Sequence, residues 1–266
     1  MKQRIITGVL GGAGLLFVLW MGGWWYAGSV ILLATIGYAE YCRMKKIALY
    51  TPQALIGFGL LWVLLISGLA EGKLISTVGI LTSPNNIILG LVLFFVLIVL
   101  SRNHFQIDEM SYLFVGSLYI GYGFSYMIQT RFLEEGFIWS LFILIITFAN
   151  DTGAYFTGKR FGRRKLWPII SPNKTVEGSL GGFFFSLVMG VVMALVFPQL
   201  GSIWVVLTLS ALIAIVGPIG DLVESAIKRT NGVKDTGSLL PGHGGILDRF
   251  DSLLLVFPVL HLFQLI

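Results

Sequence analysis

The chain has 266 residues, of which 56% are hydrophobic and 12% charged, and a formal net charge of +5; its mean hydropathy is +0.88. Soluble domains carry roughly 45–50% apolar and about 25% charged residues, so a water-soluble globular enzyme is excluded, and the wealth of apolar residues excludes a disordered chain. A polytopic membrane protein remains, with a ceiling of about ten crossings at roughly 20 residues each, and any chemistry must come from the helices and a few loops.

Apolar runs between breakers predict an all-α integral membrane protein with about nine transmembrane helices, over residues 5–22, 24–42, 53–70, 86–101, 111–130, 137–156, 177–197, 202–226 and 246–266. The basic start Met1-Lys2-Gln3-Arg4 resembles a signal-peptide n-region, but no small-residue cleavage pattern follows, so the first run reads as a retained anchor. Residues 1–130, about five helices, read as a scaffold that faces lipid or an oligomer partner. Residues 131–266 read as the catalytic region, with cytoplasmic loops at 157–176 and 227–246. The single Cys42 can form no intrachain disulfide.

Charge sets the expected orientation. With the N-terminus inside, only Lys73 and Arg131 of the 18 basic residues fall outside, and the positive-inside rule then favours N-in, C-out. Binding of a basic chain to anionic headgroups explains the total charge but not its sidedness. The expected location is the cell (cytoplasmic) membrane, with the site facing the cytoplasm.

Five of the 13 carboxylates, Glu71, Asp108, Glu109, Glu134 and Glu135, fall in predicted loops. Glu40, Asp151, Glu177, Asp221, Glu224, Asp248 and Asp251 lie within or at the ends of apolar runs, where an ionised group is costly and is paired or functional. The predicted topology gathers all of these but Glu40 at the cytoplasmic ends of four helices. Asp221/Glu224 and Asp248/Asp251 are each spaced i, i+3, which puts both carboxylates of a pair on one helix face. A hard cation such as Mg²⁺ takes carboxylate oxygens and keeps positions open for water and phosphate. One pair alone is equally explained by Glu224 bonding Lys228 at i, i+4, or by Asp248 or Asp251 bonding Arg249. Two pairs on one short connection favour a site for one or two cations.

That connection runs from Ser225 through Lys228, Arg229, Lys234, Asp235 and Gly237 to Pro241-Gly242-His243-Gly244-Gly245, then Asp248-Arg249-Phe250-Asp251. The glycines free the backbone to approach a ligand with its N–H groups turned inward, and the bases supply positive charge for polyphosphate. His243 is expected to contact phosphate, because hard cations prefer oxygen ligands. Acids, bases and glycines within about 30 residues read as a metal-dependent nucleotide or phosphate site.

The run S-x2-KR-x4-KD-x-G-x3-PGHGG-x2-DR-x-D, beginning at Ser225, resembles the signature of the phosphatidate cytidylyltransferases, also called CDP-diacylglycerol synthases. An upstream stretch is similar to the family's second conserved region: Asn150-Asp151-Thr152-Gly153-Ala154-Tyr155, Gly158-Lys159, and Ser171-Pro172-Asn173-Lys174-Thr175-Val176-Glu177-Gly178. It departs at Asn173 and Val176, where the family carries lysine and tryptophan. The resemblance covers about residues 150–251.

The resemblance implies that CTP and phosphatidic acid give CDP-diacylglycerol and pyrophosphate, with Mg²⁺ required, and it implies a homodimer. On this reading Asp221, Glu224, Asp248 and Asp251 hold the cation, with Asp151 as a further ligand. Lys228, Arg229, Lys234, Arg249 and His243 grip the triphosphate, and Lys174 contacts phosphate. Ser171, Ser225, Asp235, Pro241, Gly242, Gly244 and Gly245 are the remaining substrate contacts. No nucleic acid partner is expected. Three alternatives stand beside this reading. A CDP-alcohol phosphotransferase would show D-G-x2-A-R-x8-G-x3-D-x3-D, which is absent. A CTP-using lipid kinase would release CDP in place of pyrophosphate. A cation transporter would carry its acids near the midplane.

Overall fold

Helix forms where the apolar runs predict it. In the computed structural model, which describes residues 2–71, 85–102, 104–239 and 244–266 with side chains from residue 8 onward, the first eight runs are the helices α1 (Lys2–Met21), α2 (Gly23–Met44), α3 (Pro52–Glu71), α4 (Asn85–Leu100), α5 (Ile107–Arg131), α6 (Gly136–Phe161), α7 (Val176–Val196) and α8 (Ile203–Thr230). By length and apolarity α3, α6, α7 and α8 are long enough to cross a membrane, while Gly8–Met21 and α4 are shorter apolar helices.

The ninth run departs from expectation. It is split into α9 (Leu247–Phe250) and α10 (Leu253–Leu262), and Asp251-Ser252 form a turn between them. The Asp251 side chain takes the backbone N–H of Ser252 at 2.7 Å, the kind of local bond by which aspartate competes with helix. The expected loop 157–176 also carries an antiparallel hairpin, β1 (Lys165–Trp167) and β2 (Ser171–Thr175), with Lys165 opposite Thr175 and Trp167 opposite Ser171. Lys73, Pro241, Gly242 and His243 lie outside the described residues.

The chain divides into two compact units, residues 1–133 with 235–249, and residues 134–234 with 250–266. In the first, buried hydroxyls bond carbonyls of neighbouring helices: Tyr38 to Leu113 at 3.2 Å, Ser117 to Gly57 at 3.0 Å and Tyr26 to Met127 at 3.3 Å. Such bonds join helices where apolar side chains find no water to escape from. Arg131 Nε donates to the Leu19 carbonyl at 2.8 Å, close to the end of α1, where a cation suits the helix dipole. Most side chains of α4 are exposed and apolar, as a lipid-facing helix requires.

In the second unit α6 and α7 meet along small residues. A Cβ on Gly178 would stand 2.9 Å from the Ala154 carbonyl and 3.2 Å from Gly158 Cα, both backbone atoms. Thr175 ends β2 and caps α7 by accepting the Gly178 N–H at 3.1 Å. We expect Gly178→Ala to lower stability by about 1–3 kcal/mol through overpacking, measured as a fall in the unfolding midpoint in detergent. Gly59→Ala, which meets open space, leaves the midpoint unchanged or slightly raised.

Candidate active site

The second unit assembles its site around α8. Pro218 has no N–H to donate to the Ala214 carbonyl one turn back. The buried Asn150 of α6 donates its Nδ2 to that carbonyl at 3.5 Å, and the next residue of α6 is Asp151. Two residues after Pro218, a Cβ on Gly220 would lie 2.7 Å from the Asp251 carbonyl and 3.0 Å from Ser252 Cα. Only glycine lets the 251–252 turn lie directly on the α8 backbone. Asp221 and Asp251 are thereby neighbours, and Asp251 is within electrostatic reach of Asp221, Asp151 and Lys228.

Lys174 enters from β2. Its ammonium lies 2.5 Å from Asp221 Oδ2 and donates to the Pro218 carbonyl at 3.2 Å. The other Asp221 oxygen accepts the Ser225 hydroxyl at 3.3 Å, and Asp151 feels both Asp221 and Lys174. A cavity of about 490 Å³ opens here, lined among others by Asp151, Tyr155, Lys159, Lys174, Ser179 and Asp221. That volume lies within the roughly 300–1,000 Å³ of small-molecule sites.

Each predicted acid has its own local partners. Asp151, Asp221 and Asp251 come together in the second unit. Glu224, buried, bonds Lys228 at 3.0 Å, the i, i+4 pairing that its spacing offers. Glu177 accepts the backbone N–H groups of Arg163 at 3.0 Å and Arg164 at 3.2 Å, tying the hairpin base to the start of α7. Asp248 belongs to the first unit, where its Oδ2 accepts the N–H of Thr236 at 2.9 Å, the Thr236 hydroxyl at 2.8 Å and the N–H of Gly245 at 2.8 Å. Because α9 ends at Phe250, Asp248 and Asp251 do not share a continuous helix face as their i, i+3 spacing suggests.

The remaining predicted residues are placed as follows. Arg229 is exposed and donates from Nε to the Ile170 carbonyl at 3.4 Å, beside the hairpin. Ser171 opens β2 opposite Trp167. Lys234, Asp235 and Arg249 are exposed, and Gly244 has φ +83, a left-handed backbone that favours glycine. The positioning roles of Asn150, Pro218 and Gly220 were missed by sequence reasoning, although a proline inside a helical run three residues before Asp221 was a visible signal.

Hard carboxylate oxygens suit a divalent cation, and the acids at the cavity meet a positive charge already, the Lys174 ammonium on Asp221. Among the described residues no three Asp, Glu, His or Cys side chains form a ready metal cage. The donor chemistry thus fits a cation that joins or displaces Lys174.

The Cytidylyltransferase family profile matches residues 2–266. The phosphatidate cytidylyltransferase of Bacillus subtilis (strain 168) is 41% identical over 263 residues, 98% of this chain and 96% of that protein. The chain belongs to the phosphatidate cytidylyltransferase family. Proteins of the same name from Staphylococcus saprophyticus subsp. saprophyticus and Staphylococcus haemolyticus (strain JCSC1435) are 38% and 36% identical, each alignment covering 98% of both chains. Family membership makes the chain a nucleotidyltransferase enzyme, and its apolar helices make it a membrane protein.

Lys174→Met keeps the length of the side chain and removes its charge. A charge-assisted bond contributes roughly 1.5–3 kcal/mol, so cytidylyltransferase turnover should fall about ten- to a hundredfold, with Lys174→Arg retaining more. Steady-state kinetics on folded, detergent-purified protein check this, and undiminished turnover in Lys174→Met contradicts it.

Proposed function

We propose that the protein transfers the cytidylyl group of CTP to phosphatidic acid, giving CDP-diacylglycerol and pyrophosphate. The observation that carries the reading is the cavity where Asp151 and Asp221 stand with Lys174, with Asp251 in electrostatic reach of both acids, inside a chain whose relatives bear the name phosphatidate cytidylyltransferase. An oxygen of the lipid phosphate forms a bond to the α-phosphorus of CTP, and the bond from that phosphorus to the α–β bridging oxygen breaks, releasing pyrophosphate. A phosphate monoester has its second pKa near 6, so the nucleophile is largely ionised at neutral pH and no general base is required.

What the protein must supply is positioning and charge. Lys174 holds a phosphate oxygen when it leaves Asp221. The basic residues of the signature, Lys228, Arg229, Lys234, His243 and Arg249, neutralise the triphosphate, an assignment that rests on their charge and spacing in the sequence. Asp221 and Asp251, with Asp151 beside them, would hold Mg²⁺. When bound, that ion supplies charge neutralisation at the phosphate oxygens. Of Glu224 and Asp248, expected from sequence in the same role, the first has Lys228 as a partner and the second has Thr236 and Gly245.

The proposed setting is a nine-span chain in the cell membrane, N-terminus inside, with the site at the cytoplasmic face. The distribution of lysine and arginine supports it. CTP then arrives from water, and the lipid enters laterally with its phosphate at headgroup depth. A homodimer is expected from the family.

Purified protein with CTP, Mg²⁺ and phosphatidic acid should release one pyrophosphate per CDP-lipid formed. EDTA should stop the reaction and Mg²⁺ restore it. Asp251→Asn and Asp221→Asn should abolish it without loss of folding. CDP as the nucleotide product points instead to a lipid kinase, and full activity in either variant overturns the assigned roles.

A further inference from the structure

Glu40, in α2, is an acid in an apolar run to which the signature gives no task. It is 3% exposed. Its Oε1 accepts the backbone N–H of Ile246 at 3.0 Å, and its Oε2 accepts that of Leu247 at 3.2 Å. The Thr236 hydroxyl lies 3.2 Å from Glu40 Oε2 and 2.8 Å from Asp248 Oδ2. A hydroxyl carries one proton, so it donates along the shorter contact and stands between the two carboxylates. With Gly245 donating to Asp248, three successive N–H groups, at residues 245–247, turn onto the protein's own acids.

The glycines of this loop fit the same acids. A Cβ on Gly237 would lie 2.6 Å from Glu40 Oε1, one on Gly245 would lie 2.6 Å from Glu40 Cδ, and one on Gly244 would lie 2.5 Å from Asp248 Oδ2. The sequence suggests that Gly244 and Gly245, with Gly242, bring backbone N–H groups to a ligand. At residues 245–247 the anion held by that backbone is internal.

We propose that Glu40 is a positioning residue for cytidylyl transfer: it fixes residues 236–237 and 244–248, and through the shared Thr236 hydroxyl it sets the orientation of Asp248. This rests on the reading that the signature loop serves the transfer reaction. Glu40→Gln puts an amide N–H₂ where one carboxylate oxygen accepts from the backbone, so a donor meets a donor or the loop shifts.

The test is steady-state kinetics on full-length protein in detergent with CTP, Mg²⁺ and phosphatidic acid. Glu40→Gln should lower kcat by about tenfold or more, with a smaller change in the KM for CTP, and Glu40→Asp should recover part of the loss. Gly237→Ala, which leaves Glu40 in place and crowds its carboxylate, should lower kcat likewise, and Glu40→Ala/Gly237→Ala should lose less than the product of the two single losses. The Gly237→Ala arm decides the matter if Glu40→Gln does not fold. Wild-type kcat in Glu40→Gln or Gly237→Ala, or strictly multiplicative losses, overturns the inference. Full activity in Asp248→Asn overturns the underlying reading of the loop instead, so the two failures are distinguishable.

Discussion

An ionised carboxylate is tolerated among apolar helices only beside an opposite charge or a set of hydrogen-bond donors, and the Lys174–Asp221 pair meets that condition in the second unit. Much of the unit follows from it. The hairpin exists where the chain must deliver Lys174 back to α8. Thr175 ends that hairpin by capping α7, and Glu177 secures its base through two backbone N–H groups. Gly178 lets α7 lie against α6, and Gly220 lets the Asp251 turn lie against α8. Remove the counter-charge, and Asp151, Asp221 and Asp251 stand within electrostatic reach of one another with less to offset their repulsion.

The first unit solves the same problem by different means. Two backbone N–H groups receive Glu40, and the Thr236 hydroxyl stands between it and Asp248. Asp248 is held by two more N–H groups and the same hydroxyl. A glycine-rich loop is suited to this because a side chain at 237, 244 or 245 would occupy the space the carboxylates fill. One unit thus balances its acids with a lysine, and the other with a folded-back backbone.

These two solutions were unequally legible in the sequence. Apolar runs located the first eight helices closely, because length and polarity alone decide them. The signature from Ser225 to Asp251 and the stretch from Asn150 to Gly178 pointed to the family to which the chain belongs. Spacing misled where it assumed an unbroken helix: i, i+3 places Asp248 and Asp251 on one face only if the helix continues, and the Asp251–Ser252 bond ends it. The hairpin was hidden because β1 and β2 are only three and five residues long. Glu40 was visible as a misplaced acid, but its partners lie 196 to 207 positions away, a separation no local pattern encodes.

We propose that Asp221 and Asp251, with Asp151, form the cation-handling centre of the enzyme. Equilibrium binding of Mn²⁺, followed by electron paramagnetic resonance on the purified protein, tests it without recourse to turnover. Wild type should bind Mn²⁺ saturably, and Asp221→Asn and Asp251→Asn should each weaken that binding by at least the roughly ten- to hundredfold that loss of even an outer partner of a metal ligand costs. Binding of undiminished strength in both variants contradicts it.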